Sequence, residues 1–143
     1  MVTLKVGLKG TGKTKMLVDE VHEAAKASKG LVVCIEYGGK LTYHIRTSAR
    51  LIDAKDYDIK DANTLYGFVC GTLACNYDIT EVFVDSALKI CGDDIAAFEE
   101  FMYKLDDISK KMGVDCFITS SIAEENLPEG LKKFLAVEAD EKN

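Results

Sequence analysis

The sequence contains no tryptophan, one proline (Pro128), two arginines (Arg46 and Arg50) and two histidines (His22 and His44) in 143 residues. Each scarcity excludes something. With a lone proline and no repeat or low-complexity stretch, no linker divides the chain, and its length suits one core, a single unit spanning residues 1–143. With two arginines and a net charge of -6, no basic stripe that could track a phosphate backbone is visible, so a broad nucleic-acid surface is not expected. The cysteines Cys34, Cys70, Cys75, Cys91 and Cys116 include no C-x-x-C pair, the spacing of zinc and redox motifs. Cys34 and Cys116 fall in the apolar runs LVVCIE and VDCFIT, where a free thiol behaves as a small core residue. No run approaches membrane-spanning length, and MVTLKVGLKG is not a charged leader followed by an apolar stretch. The expectation is a cytoplasmic protein that does not meet a membrane.

What is present is an alternation of short apolar runs with helical patterns, which predicts an α/β fold: a mainly parallel sheet of five or six strands with helices on both faces. Strands are predicted at Val2–Val6, Leu31–Glu36, near Arg50–Asp53, at Glu81–Val84, at Val114–Thr119 and at Leu135–Glu138. A first helix runs from Gly12 to about Ser28, its face made by Met16, Leu17, Val21, Ala24 and Ala25, with Gly30 as its stop. Leu41–Ser48 fits a strand or a helix, the short helix being preferred. Asp61–Asn76 has helical character despite Gly67 and Gly71, small residues that would let it lie close to the sheet. Asp93–Met112 carries the clearest stripe (Ile95, Phe98, Met102, Leu105, Ile108, Met112), opened by Asp93 and Asp94 and ended by Gly113. Glu129–Phe134 holds one or two helical turns.

Gly7-Leu8-Lys9-Gly10-Thr11-Gly12-Lys13-Thr14 fits G-x-x-x-x-G-K-[ST] at every position, directly after a predicted strand and opening a predicted helix. The glycines let the backbone turn its amides onto phosphate oxygens, and the helix that follows aims its positive end at the same anion. Lys13 is expected to reach the β and γ phosphates, Thr14 to ligate Mg2+, and Lys9 and Lys15 to border the loop. The ligand expected is a nucleoside triphosphate with Mg2+. ATP is favoured over GTP, because no N-K-x-D motif for reading guanine follows any strand. Val82-Phe83-Val84-Asp85 supplies a second element, an apolar strand that exposes a carboxylate at the end where open α/β sheets bind ligands. Asp85 is therefore the candidate for the magnesium side, against the plainer reading of a turn aspartate.

Ser86 follows Asp85, where many such ATPases carry the glutamate that orients the attacking water. V-F-V-D-S-A resembles the corresponding strand of the RecA-type ATPases, a group that includes replicative helicases and the KaiC clock proteins. The resemblance implies a P-loop NTPase fold and a Mg2+-dependent ATPase. It also implies a catalytic glutamate at the end of the strand after the first helix, which here is Glu36. The other reading of Glu36 is a charge that merely ends a strand. Thr119, Ser120 and Ser121 stand where that group places a polar γ-phosphate sensor, and hydroxyls there also commonly begin turns. Two alternatives stay open: a nucleotide-dependent binding module with little hydrolysis, and, less favoured, a small-molecule kinase, which would want several arginines and a lid. A protein partner or self-association stays open too, since no arginine finger is evident. His22 and His44 have no acid or metal partner at a telling spacing.

Overall fold

A computed structural model describes residues 1–45 and 49–136. Five strands, β1 (Val2–Gly7), β2 (Leu31–Glu36), β3 (Arg50–Asp53), β4 (Ile79–Val84) and β5 (Asp115–Ser121), form one all-parallel sheet in the order β1-β5-β4-β2-β3. Parallel neighbours require crossovers, and helices supply most of them: α1 (Lys13–Ala27), the one-turn α2 (Thr42–Ile45), α3 (Ala62–Cys75), the one-turn α4 (Ala87–Ile90) and α5 (Ile95–Met112). Leu135, after a 3-10 helix at Glu129–Phe134, makes a parallel bridge to Leu4 on the outer side of β1. Residues 137 and 138 of the sixth strand expected at Leu135–Glu138 lie outside the described residues.

The sheet is apolar on both faces because its central strands are covered twice, which is why LVVCIE and EVFV contain near-continuous apolar runs. Residues alternate between two buried clusters. Val33, Ile35, Val82, Val84 and Ile118 face α3 and α5, whose Leu65, Val69, Phe98, Phe101, Met102 and Leu105 close that side. Val32, Cys34 and Phe83 face the other way, onto Leu17 and Val21 of α1 and onto Leu41 and Ile45 at α2. His22 Nε2 and the His44 carbonyl oxygen lie 2.8 Å apart, joining α2 to α1.

Three expectations need correction. Gly30 does not stop α1: the helix ends at Ala27, and its cap Ser28 donates its N–H to the Ala24 carbonyl at 2.7 Å. Gly30 is needed for a close approach instead, because a Cβ there would overlap the Asp78 carbonyl oxygen. Gly67 and Gly71 do not bring α3 near the sheet, since a Cβ at either would meet open space. The buried face of α3 is Ala62, Leu65, Val69 and Leu73, and Asp61 caps the helix through a bond from Thr64 N. In α5, Ile95 is exposed and Phe101 takes the core position, because the helix begins only after the Asp94 cap. It stops where anticipated, at Gly113 with φ 67°.

Candidate functional site

The C-terminal edge of the sheet gathers nearly all the buried polarity. Among the described residues, the buried polar or charged side chains are Lys13, Glu36, Asp85, Thr119 and Ser120 at this edge, and Ser109 elsewhere. Taking charge out of water is costly unless it is paired, so such a concentration in a small domain marks a site rather than a packing need.

Register explains how it arises. Ile35 pairs with Val84 and Val84 with Ile118, so the next residue of each strand places Glu36, Asp85 and Thr119 in one transverse row. Asp53 continues the row beside Glu36, and Lys5 beside Thr119. The row two residues earlier (Cys34, Phe83, Phe117) packs toward α1, so the polar row faces α1 as well. Asp85 N donates to the Ile35 carbonyl at 2.8 Å, fixing the strand end.

Over this row lies the loop that follows β1. Gly7 ends the strand, and Gly12, at φ 87°, is the residue from which α1 starts. The interior of the loop is held by Leu8 and Thr11. Thr11 Oγ1 donates to the Leu8 carbonyl at 2.7 Å, and Lys13 Nζ donates to the same carbonyl at 2.8 Å and to Thr11 Oγ1 at 3.4 Å. Burial lowers the Lys13 ammonium's pKa, and the Asp85 charge works the other way. Lys9, Gly10, Gly12, Lys13, Thr14 and Lys15 line a cavity of about 410 Å³, together with Asp85, Ser86, Thr119 and Ser121. Lys15 also reaches Asp19 at 3.7 Å, one turn along α1.

Within that cavity Thr14 Oγ1 lies 3.4 Å from Asp85 Oδ1. Thr119 Oγ1 donates to the same carboxylate oxygen at 2.7 Å and accepts from Ser86 N at 2.9 Å. Two residues separated by 71 positions in the chain, one from the glycine-rich motif and one directly after β4, thus meet. The donor set is oxygen only, with one carboxylate. Among the described residues no three His, Cys, Asp or Glu side chains form a metal-binding group. One carboxylate and one hydroxyl beside a phosphate-sized cavity fit Mg2+, which takes few protein ligands and fills the rest of its shell with water and phosphate.

Glu36 ends β2 beside Asp85, yet the residue borders a neighbouring cavity of about 540 Å³ with Gly39, Thr42, Arg50, Asp53 and Asp56. It is 1% exposed, Oε1 accepts from Leu41 N at 2.9 Å, and Oε2 has no hydrogen-bond partner. Burial raises its pKa first. Asp53 and Asp85 push the same way, and hydrogen bonds from the Leu41 and Lys40 amides oppose them. Of the three hydroxyls that end β5, Thr119 engages Asp85, Ser120 Oγ accepts from Leu88 N at 3.2 Å, and Ser121 lines the cavity. Cys34, Cys91 and Cys116 are buried free thiols; burial pushes Cys91 and Cys116 up to about 12.

Lys40 and Lys89 are two cations of the cavity wall that the sequence did not reveal, and Leu88 and Asp93 line it as well. Neither lysine lies in a motif, and the only signal was position: each follows a strand-end carboxylate (Glu36 and Asp85) by four residues. Nor did the sequence reveal α4, whose cap Ser86 sits in the left-handed region at φ 58°.

No protein-family model matches the chain, and no curated protein matches it in sequence. Among solved structures, the fold is similar to a KaiC-like protein from the hyperthermophilic archaeon Pyrococcus horikoshii OT3, with TM-score 0.65 and 17% identity over 92% of this chain. The chain spans 66% of that protein's length. The all-parallel sheet covered by helices on both faces, with a glycine-rich loop joining β1 to α1, is a P-loop NTPase-like α/β fold.

Proposed function

We propose that the chain is a nucleotide-binding unit that takes ATP with Mg2+ at Gly7–Thr14 and hydrolyses it in the manner of RecA-type ATPases. The observation that carries the reading is the meeting of Thr14, Asp85 and Thr119 at one carboxylate oxygen inside a lysine-walled cavity. Bound there, Mg2+ would neutralise phosphate charge and polarise the bond to the leaving group. Thr14 and Asp85 are the residues that would hold it. The loop amides and the start of α1 bind the phosphate chain, and Lys13 exchanges the Leu8 carbonyl for phosphate oxygens.

In hydrolysis a water oxygen attacks the terminal phosphorus while the bond to the departing diphosphate oxygen breaks. The chain's own contribution is positioning and charge. Glu36 is the group for the water: its Oε2 is buried without a partner while Oε1 is anchored by Leu41 N. The same anchoring favours the second reading, a nucleotide switch, because the Glu36–Leu41 bond couples β2 to the segment leading into α2.

Single-turnover hydrolysis at saturating Mg2+ tests the assignment. Glu36→Gln keeps size and hydrogen bonding, so ATP is expected to bind about as well while the rate falls by something like ~10²-fold, the scale of a lost positioned base. Equal rates would remove Glu36 from the chemistry. Nucleotide binding with no hydrolysis by the wild type would favour the switch.

A further inference from the structure

The walls of the phosphate cavity include more cations than the glycine-rich loop provides. Lys9, Lys13 and Lys15 come from the loop and the first turn of α1, but Lys40 and Lys89 come from the segments that follow β2 and β4, strands that β5 separates from β1. The carboxylates in the same wall are Asp85 and Asp93. In a chain of net charge -6, lysine thus outnumbers acid in the wall of this cavity, an arrangement that focuses a positive field on a small volume. Among the described residues, neither the Lys40 nor the Lys89 ammonium has a carboxylate at ion-pair distance.

Their positions are fixed by the sheet. Lys89 is in the one-turn α4, anchored because Ala87, Leu88 and Ile90 are buried and Leu88 N donates to Ser120 Oγ. Its ammonium lies 5.0 Å from the centroid of the Tyr37 ring, with Lys55 5.6 Å from the same centroid. Tyr37 follows Glu36 and packs against the core, so its ring ties α4 to the end of β2. Lys40 lies between Gly39 and Leu41, whose amide holds Glu36. The guanidinium of Arg50 borders the other cavity, with Asp53 and Asp56, not this one.

We propose that Lys40 and Lys89 contact the terminal phosphate from within the same chain, supplying the charge that an arginine finger gives elsewhere. The inference rests on the nucleotide-binding reading and adds to it which phosphate these two residues recognise. Contacts from the glycine-rich loop to the inner phosphates are open to diphosphate and triphosphate alike, whereas a contact to the terminal phosphate is open to the triphosphate alone. Lys40 and Lys89 therefore discriminate ATP from ADP.

The test is calorimetric titration of the wild type, Lys40→Ala and Lys89→Ala with Mg2+ and either ADP or a non-hydrolysable ATP analogue. Both lysines are exposed, so neither variant is expected to lose its fold. Each substitution is expected to lower the analogue-to-ADP affinity ratio by about tenfold, ~1.4 kcal/mol, with ADP binding nearly unchanged. Lys89→Arg keeps the positive charge and is expected to keep the wild-type ratio. An unchanged ratio in both alanine variants, or equal losses for the two nucleotides, overturns the proposal while leaving nucleotide binding intact. A wild type that binds neither nucleotide overturns the nucleotide reading, and this inference with it.

Discussion

The Thr119 hydroxyl donates to Asp85 Oδ1 at 2.7 Å, and both residues are 1% exposed. Its oxygen also accepts from Ser86 N, so the rotor has no freedom left and the carboxylate it holds is aimed at Thr14. Thr119 is on the strand between the two: β5 sits between β1, which leads to the glycine-rich loop, and β4, which Asp85 directly follows. It positions the carboxylate.

Thr119→Val keeps the shape and removes both hydrogen bonds. Leaving Ser86 N–H and one Asp85 lone pair without partners is expected to cost about 1–3 kcal/mol in chemical denaturation. Mg2+-dependent nucleotide affinity should fall with it. A variant as stable as the wild type, with unchanged affinity, would show that the pair does not orient Asp85.

Asp85→Asn retains an acceptor for Thr119 and removes the charge. Nucleotide binding measured with Mg2+ should weaken on the order of 10–100-fold, the scale seen when a metal's supporting carboxylate is lost. Binding measured with EDTA should change much less. Equal losses under both conditions would make Asp85 a structural aspartate.

Glu36 gives a prediction in pH. Burial, then Asp53 and Asp85, raise its pKa over the effect of two backbone donors, so the folded state holds this proton more tightly than the unfolded chain does. The stability it contributes is therefore present below the ordinary glutamate value of about 4.3 and is lost as pH rises through the raised folded value. Glu36→Gln should be more stable than the wild type at neutral pH, on the order of 1 kcal/mol, as for other charges held at a functional site. The gain should shrink toward pH ~4, where the wild-type carboxyl is protonated too. Denaturant midpoints across that range check it; a gain independent of pH would contradict the assignment of a raised pKa.

The glycine-rich loop was legible because its residues are consecutive and each has a fixed task, and β2 was legible to the residue because Leu31–Glu36 is an apolar run bounded by Gly30 and Gly38. Asp85 was legible as a strand-end carboxylate. What depended on register was not: that Thr119, of three adjacent hydroxyls, meets Asp85 follows from Val84 pairing with Ile118. Lys40 and Lys89 were invisible because they reach the cavity from separate elements with no spacing rule between them. The roles of Gly30, Gly67 and Gly71 are hidden for a related reason, since sequence says that a glycine is present and not whether a Cβ there would meet Asp78 or open space.

Calorimetric titration of Mg2+ and ATP into the wild type and Lys13→Ala measures nucleotide binding at the glycine-rich loop directly. Lys13 is the loop's buried cation, held on the Leu8 carbonyl and the Thr11 hydroxyl, the partners that phosphate is expected to replace. The wild type should bind saturably, one nucleotide per chain, and the variant should keep its fold while losing affinity on the order of 10²-fold. Equal affinity in a folded Lys13→Ala protein, or no binding by the wild type, would contradict the reading.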